Sequence, residues 1–272
     1  MAALRHLIST VFDKLCSTSV HPPKEKVMAL TRRATLIAMT ALAAAPALSF
    51  GSSSGPSVDG RQALEVLRIG VIGAGWLGGT VGRCWVKAGH EVFFSTRHPE
   101  DLESWVKPLG PRASFGTVRQ AVEFADILLL AVPYDAIPEL AKSLSGLMQG
   151  KILLDACNPS ASSRSEIAQE AMASSAAVTT SKYFPGVRVV RAFSAVDATS
   201  VEASFEKKGA PLGVPIASDD AAALQIASQL VLDAGCAPVV VGTLAQAVVF
   251  QRGGPGFRAN TSEPELRRLL GL

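Results

Sequence analysis

Between Leu67 and Phe94 the chain sets three glycines, Gly73, Gly75 and Gly78, directly after a short apolar run, Leu67–Ile72. A helix-forming run, Leu77–Ala88, follows, and Gly89-His90 separates it from a second apolar run, Glu91–Phe94. This is the order strand, tight turn, helix, strand, the size of one βαβ unit. A G-x-G-x-x-G turn in that setting constrains the backbone strongly. The first glycine permits the sharp turn, the second lets an outside group approach the main chain, and the third lets helix and strand pack closely. The free N–H groups of the helix start then face a phosphate. Gly73, Gly75, Trp76, Leu77 and Gly78 are therefore the expected contacts to the pyrophosphate of a dinucleotide.

The residues that follow extend the alternation. Short helices are predicted at Leu102–Lys107, Val118–Phe124, Ile137–Leu147 and Glu166–Met172, and a longer one at Asp219–Leu232, capped by Ser218 or Asp219. Strands are predicted at Ala113–Phe115, Ile127–Val132, Ile152–Leu154, Arg188–Phe193, Val214–Ala217 and Ala237–Val241, with a loop over Lys182–Gly186. Strands that are apolar throughout belong in a parallel sheet covered on both faces. The expected fold is a doubly wound, mostly parallel α/β sheet of the Rossmann type, with about eight strands over residues 67–242. Residues 243–272 form a short C-terminal extension, with a turn at Gly253–Gly256 and a last helix near Glu263–Leu270. Its apolar stretch Leu244–Phe250 either packs on the sheet or forms a homodimer contact.

The tip of the second strand decides between dinucleotides. A site that prefers NAD usually places an acid there to hold the ribose diol. Here the sequence is Ser95-Thr96-Arg97-His98, with two hydroxyls and a guanidinium. Ser95, Thr96 and Arg97 suit a 2′-phosphate, which points to NADP(H). His98 fits a solvated turn equally well.

Residues 1–66 read differently. Arg32-Arg33 precedes an apolar run from Ala34 to about Leu48, which ends among small residues, Ala45-Pro46-Ala47. This order of charged, apolar and small segments resembles a twin-arginine export signal over residues 31–49, within a leader of residues 1–49. Met28 is an alternative start. The Ser, Gly and Pro-rich residues 50–66 read as a linker. A working leader would place the protein in the periplasm, with no stable membrane span after its removal; otherwise it is cytoplasmic.

Charge supports the same division. Residues 1–50 carry six basic and two acidic residues, and the remainder twenty and twenty-one. The body is nearly neutral, which gives no electrostatic footprint for nucleic acid. Cys84, Cys157 and Cys236 form no CxxC pair and no Cys/His cluster, so they read as buried thiols rather than metal ligands.

Several longer stretches resemble the coenzyme F420-dependent NADP oxidoreductases, whose N-terminal domain type is shared with pyrroline-5-carboxylate reductases. They are IGVIGAGWLGGTVGRCWVKAGHEVFFSTR, DILLLAVPYDAI, ILLDACNP and VVRAFSAV, with a later stretch PIASDDAAALQIASQLVLDAGCAPVVVGTLAQA. The resemblance implies that Ala131-Val132-Pro133 passes beside the nicotinamide ribose with Tyr134 next to it. It also implies that Asn158-Pro159 ends a strand near the nicotinamide. Phe193 and Ser194 would face the substrate, although the family commonly has Asn where this chain has Ser194. The short extension leaves no room for the large helical domain of pyrroline-5-carboxylate reductases.

Hydride transfer between two rings needs little side-chain chemistry, because the cofactor carries the electrons. No catalytic side chain is assigned on that reading. Three functions follow: an NADP(H)-dependent oxidoreductase acting on a flavin-like or F420-like carrier, a reductase of a small carbonyl or imine, or a non-catalytic NADP-binding protein. The second would need a proton donor, for which Tyr134, Lys182 and Ser194 are the candidates. His90 is not assigned to catalysis.

Overall fold

In the computed structural model the described residues are 66–272; the leader and nearly all of the linker lie outside them. The order runs β1 (Arg68–Ile72), α1 (Trp76–Ala88), β2 (Glu91–Ser95), α2 (Glu103–Val106), β3 (Ala113–Gly116), α3 (Val118–Phe124), β4 (Ile127–Leu130), α4 (Ile137–Leu144) and β5 (Ile152–Asp155). It continues with α5 (Glu166–Ala173), α6 (Ala176–Tyr183), β6 (Arg188–Arg191), α7 (Ala198–Phe205), β7 (Gly213–Ala217), α8 (Ala221–Asp233), β8 (Ala237–Gly242) and α9 (Glu263–Leu270).

The eight strands form one sheet in the order β3-β2-β1-β4-β5-β6-β7-β8. All described pairings are parallel except that of β6 with β7, which meet antiparallel through Arg191 and Ala217. This is the expected doubly wound sheet. The chain crosses from β3 back to β4 beside β1, so the sheet has its topological switch point between β1 and β4, where such folds bind ligands beyond the carboxyl ends of the strands.

Local chemistry sets the boundaries. The all-apolar strands β4 (Ile-Leu-Leu-Leu) and β7 are buried at every residue, because helices cover both faces. Thr117 and Gln120 form a capping box at the start of α3, and Gly89, with φ of 107°, closes α1. Two hydrophobic clusters, one on each face, hold the layers together. Trp85 is fully buried in the first; its indole N–H donates to the Leu230 carbonyl at 2.7 Å and ties α1 to α8.

The structure corrects several expectations, among them β6, which ends at Arg191 rather than Phe193. The β4 strand ends at Leu130, two residues before the predicted Val132. Residues Lys182 and Tyr183, expected in a loop, end helix α6. Both α6 and α7 escape a periodicity search because their sequences, AAVTTSKY and ATSVEASF, lack a long apolar stripe; α6 is held by burial of Ala176, Ala177, Thr179 and Thr180 and by its Ser175 cap. The cap of α8 is Asp220, whose side chain accepts from the Ala223 N–H; the Ser218 hydroxyl donates instead to the Val189 carbonyl.

The extension packs on the sheet. Leu244, Ala247 and Phe250 are buried in the second cluster, while Ala245 and Val248 of the same stretch stay exposed. Helix α9 lies against β7 and β8 through Leu266. Among the described residues no helix is long and apolar enough to cross a membrane.

Candidate functional site

The glycine turn has the geometry its sequence implies. Gly73 sits at φ of 96°, in the region that disfavours side chains, and a Cβ there would collide with the Ala131 carbonyl. A Cβ on Gly78 would collide with the Gly73 carbonyl. A Cβ on Gly75 would meet no atom within 4 Å, so this position opens to the outside. The N–H groups of Gly73 and Ala74 both donate to the Ser95 carbonyl, at 3.1 and 2.9 Å, which fixes the turn against the end of β2.

Helix α1 begins beyond it with no side-chain cap and no acidic residue in its first turn. Its first N–H groups are left for an anion, and the helix dipole adds to the attraction. Trp76 is 72 % exposed and does not pack on the sheet; Leu77 is half-buried and Gly78 buried. A cleft of about 200 Å³ flanks the turn, lined by Gly75, Trp76, Gly79, Thr80, Arg83 and Trp105. Arg83 and Trp105 escaped the sequence reading, since they lie outside the G-x-G-x-x-G signature. Gly82 escaped it as well. A Cβ there would collide with the Phe94 ring, so α1 runs close to β2 one turn beyond the fingerprint. The run Gly78-Gly79-x-x-Gly82 carried that signal.

At the tip of β2 the three expected residues separate. Ser95 is fully buried and its Oγ donates to the Val71 carbonyl at 2.7 Å, so its hydroxyl is closed to a ligand. This corrects its expected role: as the last strand residue it points into the sheet face, and it serves the turn through its carbonyl. Thr96 is half-buried, and Arg97 and His98 are exposed.

Across the switch point, the Ala131 N–H continues the β1–β4 pairing by donating to the Ile72 carbonyl at 2.8 Å. Ala131 and Val132 are half-buried and Pro133 exposed, so this loop reaches the surface at the carboxyl end of β4, beside the switch point. Tyr134 turns away from it. The ring is buried, and its hydroxyl donates to the Ala176 carbonyl at 2.8 Å and accepts from Thr180 at 3.2 Å. Burial, with Asp155 nearby, pushes the phenol well above its ordinary range. Tyr134 is therefore a tie between the β4 loop and α6, not a proton donor.

Beyond the switch point lie the ends of β5 and β6. The register sets Leu130 of β4 beside Asp155 of β5, and Asp155 beside Arg191 of β6. Asp155 and Arg191 are both fully buried and joined by an Nη1–Oδ2 contact of 2.7 Å. Arg191 also donates from Nη2 to the Asn158 Oδ1 at 2.9 Å, and the Asn158 Nδ2 donates to the Ser194 carbonyl at 2.7 Å. Asn158 is half-buried and Pro159 buried.

Phe193 and Ser194, expected at the substrate, are both buried. Phe193 is fully buried with its ring edge-on to Trp85 at 5.9 Å, and Ser194 is buried with its hydroxyl unpartnered. The third candidate donor, Lys182, pairs with Glu170 at the surface. Nor is the Cys157 thiol reactive: burial pushes it well above its usual range, and its sulfur lies between the Leu130 carbonyl and the Val132 N–H. His90 lies at the opposite, amino end of β2, buried against Asp233 at 2.9 Å.

Sheet order, switch point and uncapped glycine turn together define a dinucleotide-binding Rossmann protein. Residues 68–159 match the model of the family described as NADP oxidoreductase, coenzyme F420-dependent. The match starts with β1 and ends at Pro159, so it takes in the glycine turn, the β2 tip and the ends of β4 and β5. That is the half of the sheet expected to hold the cofactor. A solved hypothetical protein from Sinorhizobium meliloti is similar at 27 % identity and a TM-score of 0.62, over 71 % of this chain and 94 % of that one. A protein from Arthrobacter assigned as an F420-dependent NADP-reductase shares the fold at 23 % identity and a TM-score of 0.56, over 66 % and 87 % of the two chains. No curated protein matches the chain.

Proposed function

We propose that the protein is an NADP(H)-dependent oxidoreductase whose hydride partner is a flavin-like or deazaflavin ring. The open position at Gly75 and the uncapped start of α1 fit a pyrophosphate. Thr96 and Arg97, rather than Ser95, would take the 2′-phosphate, since they are the accessible groups at the β2 tip. Ala131, Val132 and Pro133 would line the ribose, and Asn158 would lie at the nicotinamide end.

When bound, the nicotinamide supplies or accepts the hydride. The protein's part is to hold the ring and its partner at the right distance and face. The observation that favours a ring partner is the state of the three candidate donors. Tyr134 and Ser194 are buried and Lys182 is paired, so none stands ready to protonate a carbonyl or imine. A ring carrier instead exchanges its proton with solvent through its own heteroatoms.

Titration of the full chain with NADPH and NADH, followed by nicotinamide fluorescence, tests this reading. The expected result is a preference for NADPH of at least about tenfold, or about 1.4 kcal/mol, and NADPH oxidation by flavin or deazaflavin acceptors. Binding of neither nucleotide overturns the assignment. Turnover with a simple imine but with no ring acceptor overturns the choice of partner. Residues 1–49 would act as an export leader and residues 50–66 as its linker to this folded body. A fusion of residues 1–66 to a reporter, exported only with Arg32-Arg33 intact, would bear that out.

A further inference from the structure

We propose that Arg191 is a positioning residue for the nicotinamide end of the groove, acting through Asn158. The inference rests on the reading that the groove takes NADP(H), and it concerns a side chain that never touches the cofactor.

Arg191 is fully buried, an expensive place for a guanidinium unless several partners hold it. One arm of its fork is held by Asp155, its register neighbour on the next strand, at 2.7 Å. The other arm extends past the end of β5 to the Asn158 Oδ1 at 2.9 Å. A guanidinium only donates, and the Ser194 carbonyl that meets the Asn158 Nδ2 only accepts. The two contacts together leave the carboxamide one orientation.

A primary carboxamide has two N–H groups and two lone pairs. Arg191 and Ser194 engage one of each. One N–H and one lone pair remain on the half-buried Asn158, and these match the acceptor and donor of another primary carboxamide, the group that nicotinamide carries.

The backbone around the clamp points the same way. Phe193 holds φ of 57° although it is not glycine and is fully buried. Non-glycine residues persist in that region only where their surroundings hold them there, and such positions gather at functional sites. The residue stands between Arg191 and the Ser194 carbonyl that receives the Asn158 N–H. Two buried polar atoms of the same cluster, Arg191 Nε and Ser194 Oγ, have no partner. Stability alone would favour an apolar cluster or a fully satisfied one.

Two probes separate positioning from mere folding: NADPH, and adenosine 2′,5′-bisphosphate, which carries the adenine and 2′-phosphate but no nicotinamide. Both are titrated into the full-length wild type and into Asn158→Ala, Arg191→Lys and the double variant Asp155→Asn/Arg191→Gln. Lysine keeps the charge beside Asp155 but lacks the second arm, and the double variant leaves no unpaired charge if the lysine protein does not fold. The expected result is an NADPH affinity about tenfold weaker in each folded variant, the size of one lost hydrogen bond, with adenosine 2′,5′-bisphosphate bound as in the wild type. Equal weakening of both probes marks a structural role and overturns the proposal. Variants that bind NADPH like the wild type overturn it too, while leaving the cofactor reading intact. A wild type that binds neither probe removes that reading and this inference with it.

Discussion

At the ends of β1, β2 and β4 the candidate site is made of main chain: three glycines, an uncapped helix start and the Ser95 carbonyl that receives two turn N–H groups. At the ends of β5 and β6 it rests on side chains: an aspartate and an asparagine three residues apart, and an arginine from the neighbouring strand, locked together beneath the surface. The first end is built to leave room and the second to fill it. A pyrophosphate is recognised through N–H groups that any sequence possesses, so the sequence need only keep side chains away. A nicotinamide must be held at one angle and one face, which takes oriented side-chain groups with their own support.

The largest expected difference between the two ends is in stability. Asp155→Ala leaves the fully buried Arg191 without its counter-charge, and breaking such a pair costs about 3–5 kcal/mol. Urea denaturation should show it as a fall in midpoint with little change in slope. Loss of less than about 1 kcal/mol would mean that water reaches Arg191 and that the second end is not the rigid one.

At the first end a substitution should do the reverse. Gly75 has an ordinary negative φ of −75° and an open Cβ position, so Gly75→Ala should fold with unchanged stability. The methyl group would stand where the phosphates approach, and NADPH binding should weaken about a hundredfold, or about 2.7 kcal/mol. Gly78→Ala is the contrasting case, since its Cβ collides with the Gly73 carbonyl and should lower stability and binding together. If Gly75→Ala binds NADPH normally, the pyrophosphate does not cross the turn at this point.

Removing the Arg97 guanidinium should matter less. Arg97 is exposed, and Arg97→Ala should reduce the preference for NADPH over NADH by about tenfold without changing the NADH affinity. Ser95→Ala should instead act on stability, because the Ser95 hydroxyl faces the Val71 carbonyl. A loss of NADPH preference in the serine variant, with none in the arginine variant, would reverse the assignment of the β2 tip.

The same contrast explains what could be read from the chain beforehand. Gly73, Gly75 and Gly78 act within six consecutive residues, so their spacing alone discloses the turn. The sheet was legible because strands buried on both faces are apolar throughout, as in Ile127–Leu130. Asp155, Arg191 and Asn158 meet only because β5 and β6 pair in one register, and no local pattern announces a register. Ser95 and Tyr134 misled for a related reason. Each has the right chemistry at the right strand end, but which way the side chain turns depends on neighbours far along the sequence, Val71 for one and Ala176 and Thr180 for the other.

The smallest effect sharpens the contrast through pH. The second half of the sheet carries another charged joint, where Arg188 at the start of β6 holds Asp220, the cap of α8, through contacts of 2.6 and 3.0 Å. The Arg188 hydrogen bond, helped by the Ala223 N–H, holds the Asp220 carboxyl well below the usual carboxylate range. Because the folded value is depressed, this contribution is complete above the unfolded value of about 3.9 and fades as pH falls toward the folded one. Asp220→Ala should therefore cost about 1 kcal/mol near neutral pH, chiefly as a lost cap. The gap to wild type should narrow below the unfolded value of about 3.9, as the unfolded chain takes up a proton that the folded carboxyl still refuses. Chemical denaturation of both proteins across the acid range reads this directly. A gap that stays constant would assign the loss to packing rather than charge. By contrast Gly75→Ala, which alters no titrating group, should differ from wild type in binding alone, by a factor that does not change near neutral pH.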